Sequence, residues 1–175
     1  MKSSKAIGIQ YAALPYRIVG RRVEILLITS RQTRRWIIPK GWPMKGMKPQ
    51  DAAATEAVEE AGIIGEVEPK PIGSYRYLKA MKADQTAAVQ VIVFPFLVLD
   101  QAPSWKEQGQ RDFRWFRYQR AANLVAEASL KRLIREFGKI RTPRFLSSAL
   151  LDPNAFGWSR SLLRAYGQAR LPPRQ

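Results

Sequence analysis

The 175-residue sequence contains neither cysteine nor histidine. The first absence excludes disulfides, thiolate metal sites and cysteine nucleophiles; the second excludes imidazole ligands and any triad built on an imidazole base. Any chemistry must fall to carboxylates, Lys, Tyr, Ser or a metal held by oxygen. Acids are scarce as well, 14 against 30 Lys and Arg, so the formal net charge is +16 and a polyanionic partner or substrate is expected. Long hydrophobic runs are missing too. The longest, Val89 to Leu99, is 11 residues and is interrupted by Gln90 and Pro95, whereas a membrane span needs about 20. At the N-terminus Lys2 and Lys5 precede an apolar run broken by Gln10 and Pro15, which does not read as a signal peptide. The expectation is a cytoplasmic protein without a membrane partner, either a monomer or a homodimer.

What is present suits one globular domain with a core and an appendage: 46% of the residues are hydrophobic and 25% charged. Alternation in Ala6–Ala12 and the run Val23–Thr29, separated by turn chemistry at Gly20–Arg22, predict paired strands. Trp36–Pro39 is a short extended piece leading into a Gly- and Pro-containing loop, Lys40–Pro49. Gln50–Ala61 is rich in Ala and ends at Gly62, which predicts a capped helix. Strands are expected at Ile72–Lys79, Thr86–Leu99 and Asp112–Arg117. From Arg120 the apolar residues fall at three- and four-residue steps to Phe137, and Gly138 reads as the stop. The expected organisation is a mixed α/β domain over residues 1–138 and a basic, Pro-containing extension over 139–175, partly packed on it.

The charge is unevenly distributed. Residues 1–50 carry net +10, residues 69–138 and 139–175 net +6 each, and residues 51–68 net −6 with no base at all. Within the predicted helix Glu56, Glu59 and Glu60 project at roughly 0°, 300° and 40°, all on one face. Such a face is either solvated or a cation site. Solvated faces usually interleave Lys or Arg one turn away, which this segment does not. Glu59 and Glu60 also lie in the last turn, where the helix dipole disfavours anions. A divalent cation would relieve both costs, and three hard oxygen donors suit Mg²⁺ or Mn²⁺.

These residues resemble the box of the Nudix hydrolases, G-x5-E-x7-R-E-U-x-E-E-x-G-U with U apolar. Gly41 to Ile63 reads GWPMKGMKPQDAAATEAVEEAGI and matches at Gly41, Glu56, Ala57, Glu59, Glu60, Gly62 and Ile63. The resemblance implies an α/β/α sandwich with a mixed sheet and a loop-helix-loop catalytic box, and hydrolysis of a diphosphate linkage. It also implies that Glu56, Glu59, Glu60 and the carbonyl of Gly41 hold Mg²⁺ or Mn²⁺. The ion would polarise a phosphoryl oxygen and lower the pKa of the attacking water. Glu59, Glu60 or Glu107 would take the proton. Two positions depart from the box: its first Glu is Met47 and its Arg is Thr55. This is either a coupled replacement of a charge pair by neutral residues or a sign of lost catalysis. The presence of all three helix carboxylates favours the first.

Ser30 to Trp36, reading SRQTRRW, resembles the approach to the box in diphosphoinositol-polyphosphate and diadenosine-polyphosphate hydrolases, and Arg111 with Arg114-Trp115-Phe116 resembles their later basic-aromatic strand. On that resemblance, and because guanidinium forks suit phosphate, Arg31, Arg35, Lys40, Lys45 and Arg111 are the substrate-contact candidates. Trp36 and Trp115 read as core or sheet-face aromatics. The substrate expected is a polyphosphorylated small molecule. Two alternatives stand beside it: an RNA 5′-end pyrophosphohydrolase, whose support is the basic tail alone, and a catalytically silent Nudix-like binding module.

Overall fold

The computed structural model describes residues 8–80 and 86–142. Two long strands, β1 (Gly8–Val19) and β7 (Thr86–Gln101), run parallel, from Gly8 opposite Val89 to Tyr16 opposite Leu97. All other pairings are antiparallel. Strand β2 (Arg22–Thr29) lies on β1, and β3 (Trp36–Ile37) and β8 (Phe113–Arg117) lie on β2. The short β4 (Lys40–Gly41) also pairs with β1, while β5 (Ile63–Val67) and β6 (Gly73–Ala80) take successive stretches of β7.

The period-two alternation of β1 divides the core. Ala12, Leu14 and Tyr16 face one side with Ile25, Leu27, Val91 and Val93, under α2 (Tyr118–Leu124) and α3 (Ala128–Arg141). Ala13 faces the other side with Leu26, Ile28 and Phe96, under Ala57 and Ala61 of α1 (Pro49–Ala61). Helices therefore cover both faces of a mixed sheet, in agreement with the fold class expected from the sequence.

Four local features differ from the sequence expectation. The first strand runs on to Val19 through Pro15. On one flank β1 pairs with β4 at Tyr11 and Ala12 and with β2 from Tyr16 onward, so Pro15, without an N–H, stands where the partner changes. Strand β5 has no counterpart among the expected strands: it is five residues long and bulged between Ile64 and Gly65. The helical pattern after Arg120 is two helices, because Val125 and Glu127 adopt extended backbone between them. Gly138 does not end the last helix, which continues to Arg141. Gly138 is instead a close-approach position, since a Cβ there would lie 2.1 Å from Cγ of Tyr118. Arg141 then donates to both carboxylate oxygens of Glu68, at 2.7 and 2.5 Å, and the Tyr16 hydroxyl donates to the same group. The folded unit thus extends past residue 138. Beyond Thr142 the expected C-terminal extension lies outside the described residues.

Candidate active site

Helix α1 opens with Pro49 in its first turn and rests on the sheet through Ala53, Ala57 and Ala61, all fully buried. These side chains are small, so the helix axis lies close over β1 and its glutamates reach the sheet's end beside β4. Gly62 closes the helix at φ +64°, donating its N–H to Val58 O at 2.9 Å. It has a second constraint: a Cβ there would meet the Trp105 ring at 2.4 Å.

Trp105 belongs to the segment between β7 and β8, which docks on the end of α1. Ala102 N–H donates to Gly62 O at 2.7 Å and Glu107 N–H to Glu59 O at 3.1 Å. This docking adds a fourth carboxylate, Glu107, to the three on the helix.

Each carboxylate has a distinct environment. Glu56 packs against the backbone of Gly41, where a Cβ would lie 1.8 Å from Oε1. Among the described residues no hydrogen-bond donor or ion-pair partner reaches it. Burial, and then repulsion by Glu59 and Glu107, raises its pKa. Glu60 is 8% exposed and accepts the Lys40 N–H at 3.1 Å and a terminal nitrogen of Arg111. Its burial pushes the carboxyl up to about 7, against the pull of Arg111 and the Lys40 N–H. Glu107 accepts Nε of Arg111 at 2.8 Å. Glu59, the more open group, accepts Nζ of Lys106 at 2.8 Å, and that bond raises the lysine's pKa.

Whether this set suits a divalent cation is decided by Glu56. A half-buried carboxylate with no protein donor, lying against a glycine backbone and beside other acids, is a site that a cation would satisfy, and every donor present is a hard oxygen. Chemically the set fits. Among the described residues, however, no three acidic groups converge on a common point; Arg111 and Lys106 hold Glu60 and Glu59 aside.

The expected substrate contacts are placed unequally. Arg31 is largely exposed and its guanidinium lies 3.5 Å from Glu107. Arg35 is exposed, with Nε on the Thr33 hydroxyl, and Lys45 is exposed on the loop before α1. Lys40 is half-buried with Nζ 5.4 Å from the Tyr77 ring centre, and burial lowers its pKa. Arg111 departs furthest from expectation: it is 7% exposed and lies among the carboxylates instead of on an open face. Trp36 packs edge-on against Phe116, and Trp115 lies under Arg17, both as sheet-face aromatics. The two departures from the box touch, Thr55 Oγ1 standing 3.8 Å from Met47 Sδ and donating to Asp51 O at 2.9 Å.

Other residues at the site escaped the sequence reading. Lys106 is one. Beside Lys40, Tyr77 donates its hydroxyl to Gln10 and Lys79 lies 4.8 Å from the centre of the Trp42 ring. The spacing of Tyr75, Tyr77 and Lys79, two apart on one strand, is the signal by which they could be assigned to one face.

The NUDIX domain family model matches residues 10–137. The chain belongs to the Nudix family. Nudix hydrolases act on pyrophosphate bonds and generally need a divalent metal. Among the relatives, Nudix hydrolase 18, mitochondrial, of Arabidopsis thaliana is 27% identical over 125 residues, covering 67% of this chain and 69% of that protein. Diphosphoinositol polyphosphate phosphohydrolase 3-alpha of Mus musculus is 29% identical over 108 residues, 60% of this chain and 62% of that one. The C. elegans Ap4A hydrolase structure superposes with a TM-score of 0.57 at 19% identity, covering 77% of this chain and 98% of that chain, a likeness of fold. Among the described residues no helix is long and apolar enough to cross a membrane. The cytoplasmic expectation rests on sequence alone, and several relatives are named mitochondrial or chloroplastic.

Proposed function

We propose that this Nudix protein is a Mg²⁺- or Mn²⁺-dependent pyrophosphohydrolase that cleaves a phosphoric anhydride in a polyphosphorylated small molecule, of the dinucleoside polyphosphate or diphosphoinositol polyphosphate type. The observation that carries the reading is the Glu56 carboxylate, seated on Gly41 without a protein hydrogen-bond donor and close enough to Glu59 and Glu107 to be repelled by both. Glu56, Glu59, Glu60 and the carbonyl of Gly41 would hold the cation. When bound, it supplies electrophilic polarisation of a phosphoryl oxygen and a more acidic water.

The chain's own residues do the rest. Arg31, Arg35, Lys40 and Lys45 form a positive approach for the polyphosphate, and Arg31 and Lys40 stand nearest the carboxylates. Glu107, tied to α1 by its backbone, and Glu59 would accept the water's proton. The mouse relative's name and the Ap4A hydrolase neighbour support small polyphosphates as the substrate class.

A panel of dinucleoside polyphosphates, diphosphoinositol polyphosphates, nucleoside triphosphates and triphosphorylated RNA, each with Mg²⁺ or Mn²⁺, tests this. Metal-dependent cleavage of one of the first two classes is the expected result. Preference for the RNA would move the substrate to nucleic acid ends, and no turnover on any compound would make the protein a binding module.

A further inference from the structure

We infer that Arg111 is the positioning residue of the carboxylate site. From outside the helix it supplies the fixed positive charge that α1 lacks, and it holds Glu107 against Glu60. Residues 51–68 contain no base, and at position 55, where the box has Arg, the Thr hydroxyl is turned back to Asp51 O. Arg111 fills that electrostatic gap from the segment before β8. Its Nε donates to Glu107 Oε2 at 2.8 Å, one terminal nitrogen to Thr29 O at 3.1 Å, and the other to Glu60 Oε1. The three acceptors come from three separate parts of the chain: the end of β2, the last turn of α1 and the β7–β8 segment.

A planar guanidinium addresses these directions at once and so fixes their relative orientation, which a point-like ammonium cannot do. The side chains concerned are 7%, 8% and 17% exposed for Arg111, Glu60 and Glu107. Turning Arg111 out to a substrate would therefore leave two shielded carboxylates with only the exposed Arg31, 3.5 Å from Glu107, and the Lys40 N–H on Glu60 to offset them. The backbone supports the same arrangement, because Glu107 N–H is bonded to Glu59 O. Glu107 is thus located twice, by its own amide and through Arg111.

The inference rests on the hydrolase reading only for its kinetic consequences, so the test has a structural arm. Wild-type protein, Arg111→Met and Arg111→Lys are compared by amide hydrogen exchange at Glu107 without metal. Their kcat and KM are then measured on a dinucleoside tetraphosphate with Mg²⁺. Arg111→Met should speed exchange at Glu107 about tenfold through local opening. It should lower kcat by about 100-fold through misplacement, with KM held within about threefold. Arg111→Lys should recover part of both effects, and it carries the test if the Met variant fails to fold. Unchanged exchange would overturn the inference, as would a raised KM with kcat preserved, which would make Arg111 a substrate contact. If the wild type cleaves nothing, the exchange result still decides the role of Arg111, and only the hydrolase reading falls.

Discussion

Helices α1 and α3 lie on opposite faces of the same sheet and are held there in different ways. Helix α3 buries Leu130, Leu133, Ile134 and Phe137 at helical spacing, and Phe137 packs edge-on against Tyr16. Helix α1 buries only alanines and Glu60, while its one large aliphatic side chain, Val58, is 45% exposed. One helix is attached by apolar area. The other is attached by close backbone approach, by the segment capping its end, and by charge. The proposed site falls on the helix with less hydrophobic attachment, whose faces carry carboxylates, and those need polar neighbours.

The largest expected effect separates the two helices by activity. Glu56→Gln removes a charge that no described donor satisfies, so the fold should be unchanged or slightly stabilised while turnover falls by about 10²–10³-fold. Circular dichroism with steady-state rates checks this. Retained turnover would break the comparison by showing that the carboxylate face of α1 is merely solvated.

The reverse behaviour is expected on α3. Phe137→Ala opens a cavity beneath Tyr16 and should cost about 3–5 kcal/mol of stability, with the specific activity of the remaining folded protein intact. Denaturant unfolding monitored alongside turnover distinguishes the cases. Loss of activity without loss of stability would mean that α3 takes part in the chemistry.

The same contrast explains what was legible in the sequence. The apolar faces of α3 and of the long strands follow from spacing, as do the Gly41-to-Ile63 match and the single-sided Glu56, Glu59 and Glu60, because local periodicity fixes which side a residue occupies. The destinations of charged side chains do not follow from spacing. Arg111 reads as a substrate contact until the β7–β8 segment is seen folded over α1, 51 residues from its partner Glu60. The pairing of Lys106 with Glu59, 47 residues away, is hidden for the same reason. Gly138 reads as a stop because a glycine needed for the approach of Tyr118 is indistinguishable in sequence from one that ends a helix. Strand β5 is short and bulged, and its pairing with β7 is a tertiary choice.

The smallest effect concerns the outer side of α1, where Met47 and Thr55 stand in place of the box's Glu and Arg. Met47 is 47% exposed, and the Thr55 hydroxyl lies 3.8 Å from its sulfur. A Met47→Glu, Thr55→Arg double substitution would therefore build an ion pair at a largely open position, with Asp51 one turn before residue 55 as a second partner. Such a pair is worth about 0.2–1 kcal/mol. Because Arg111 already supplies the counter-charge to Glu60 and Glu107, kcat should stay within about threefold of the starting protein, on the scale of that small energy. Parallel rate and melting measurements on the double variant decide the matter. A rise in kcat of about 100-fold, close to 3 kcal/mol in the barrier, would show that the neutral pair leaves the carboxylates misplaced and that α1 needs a charge of its own.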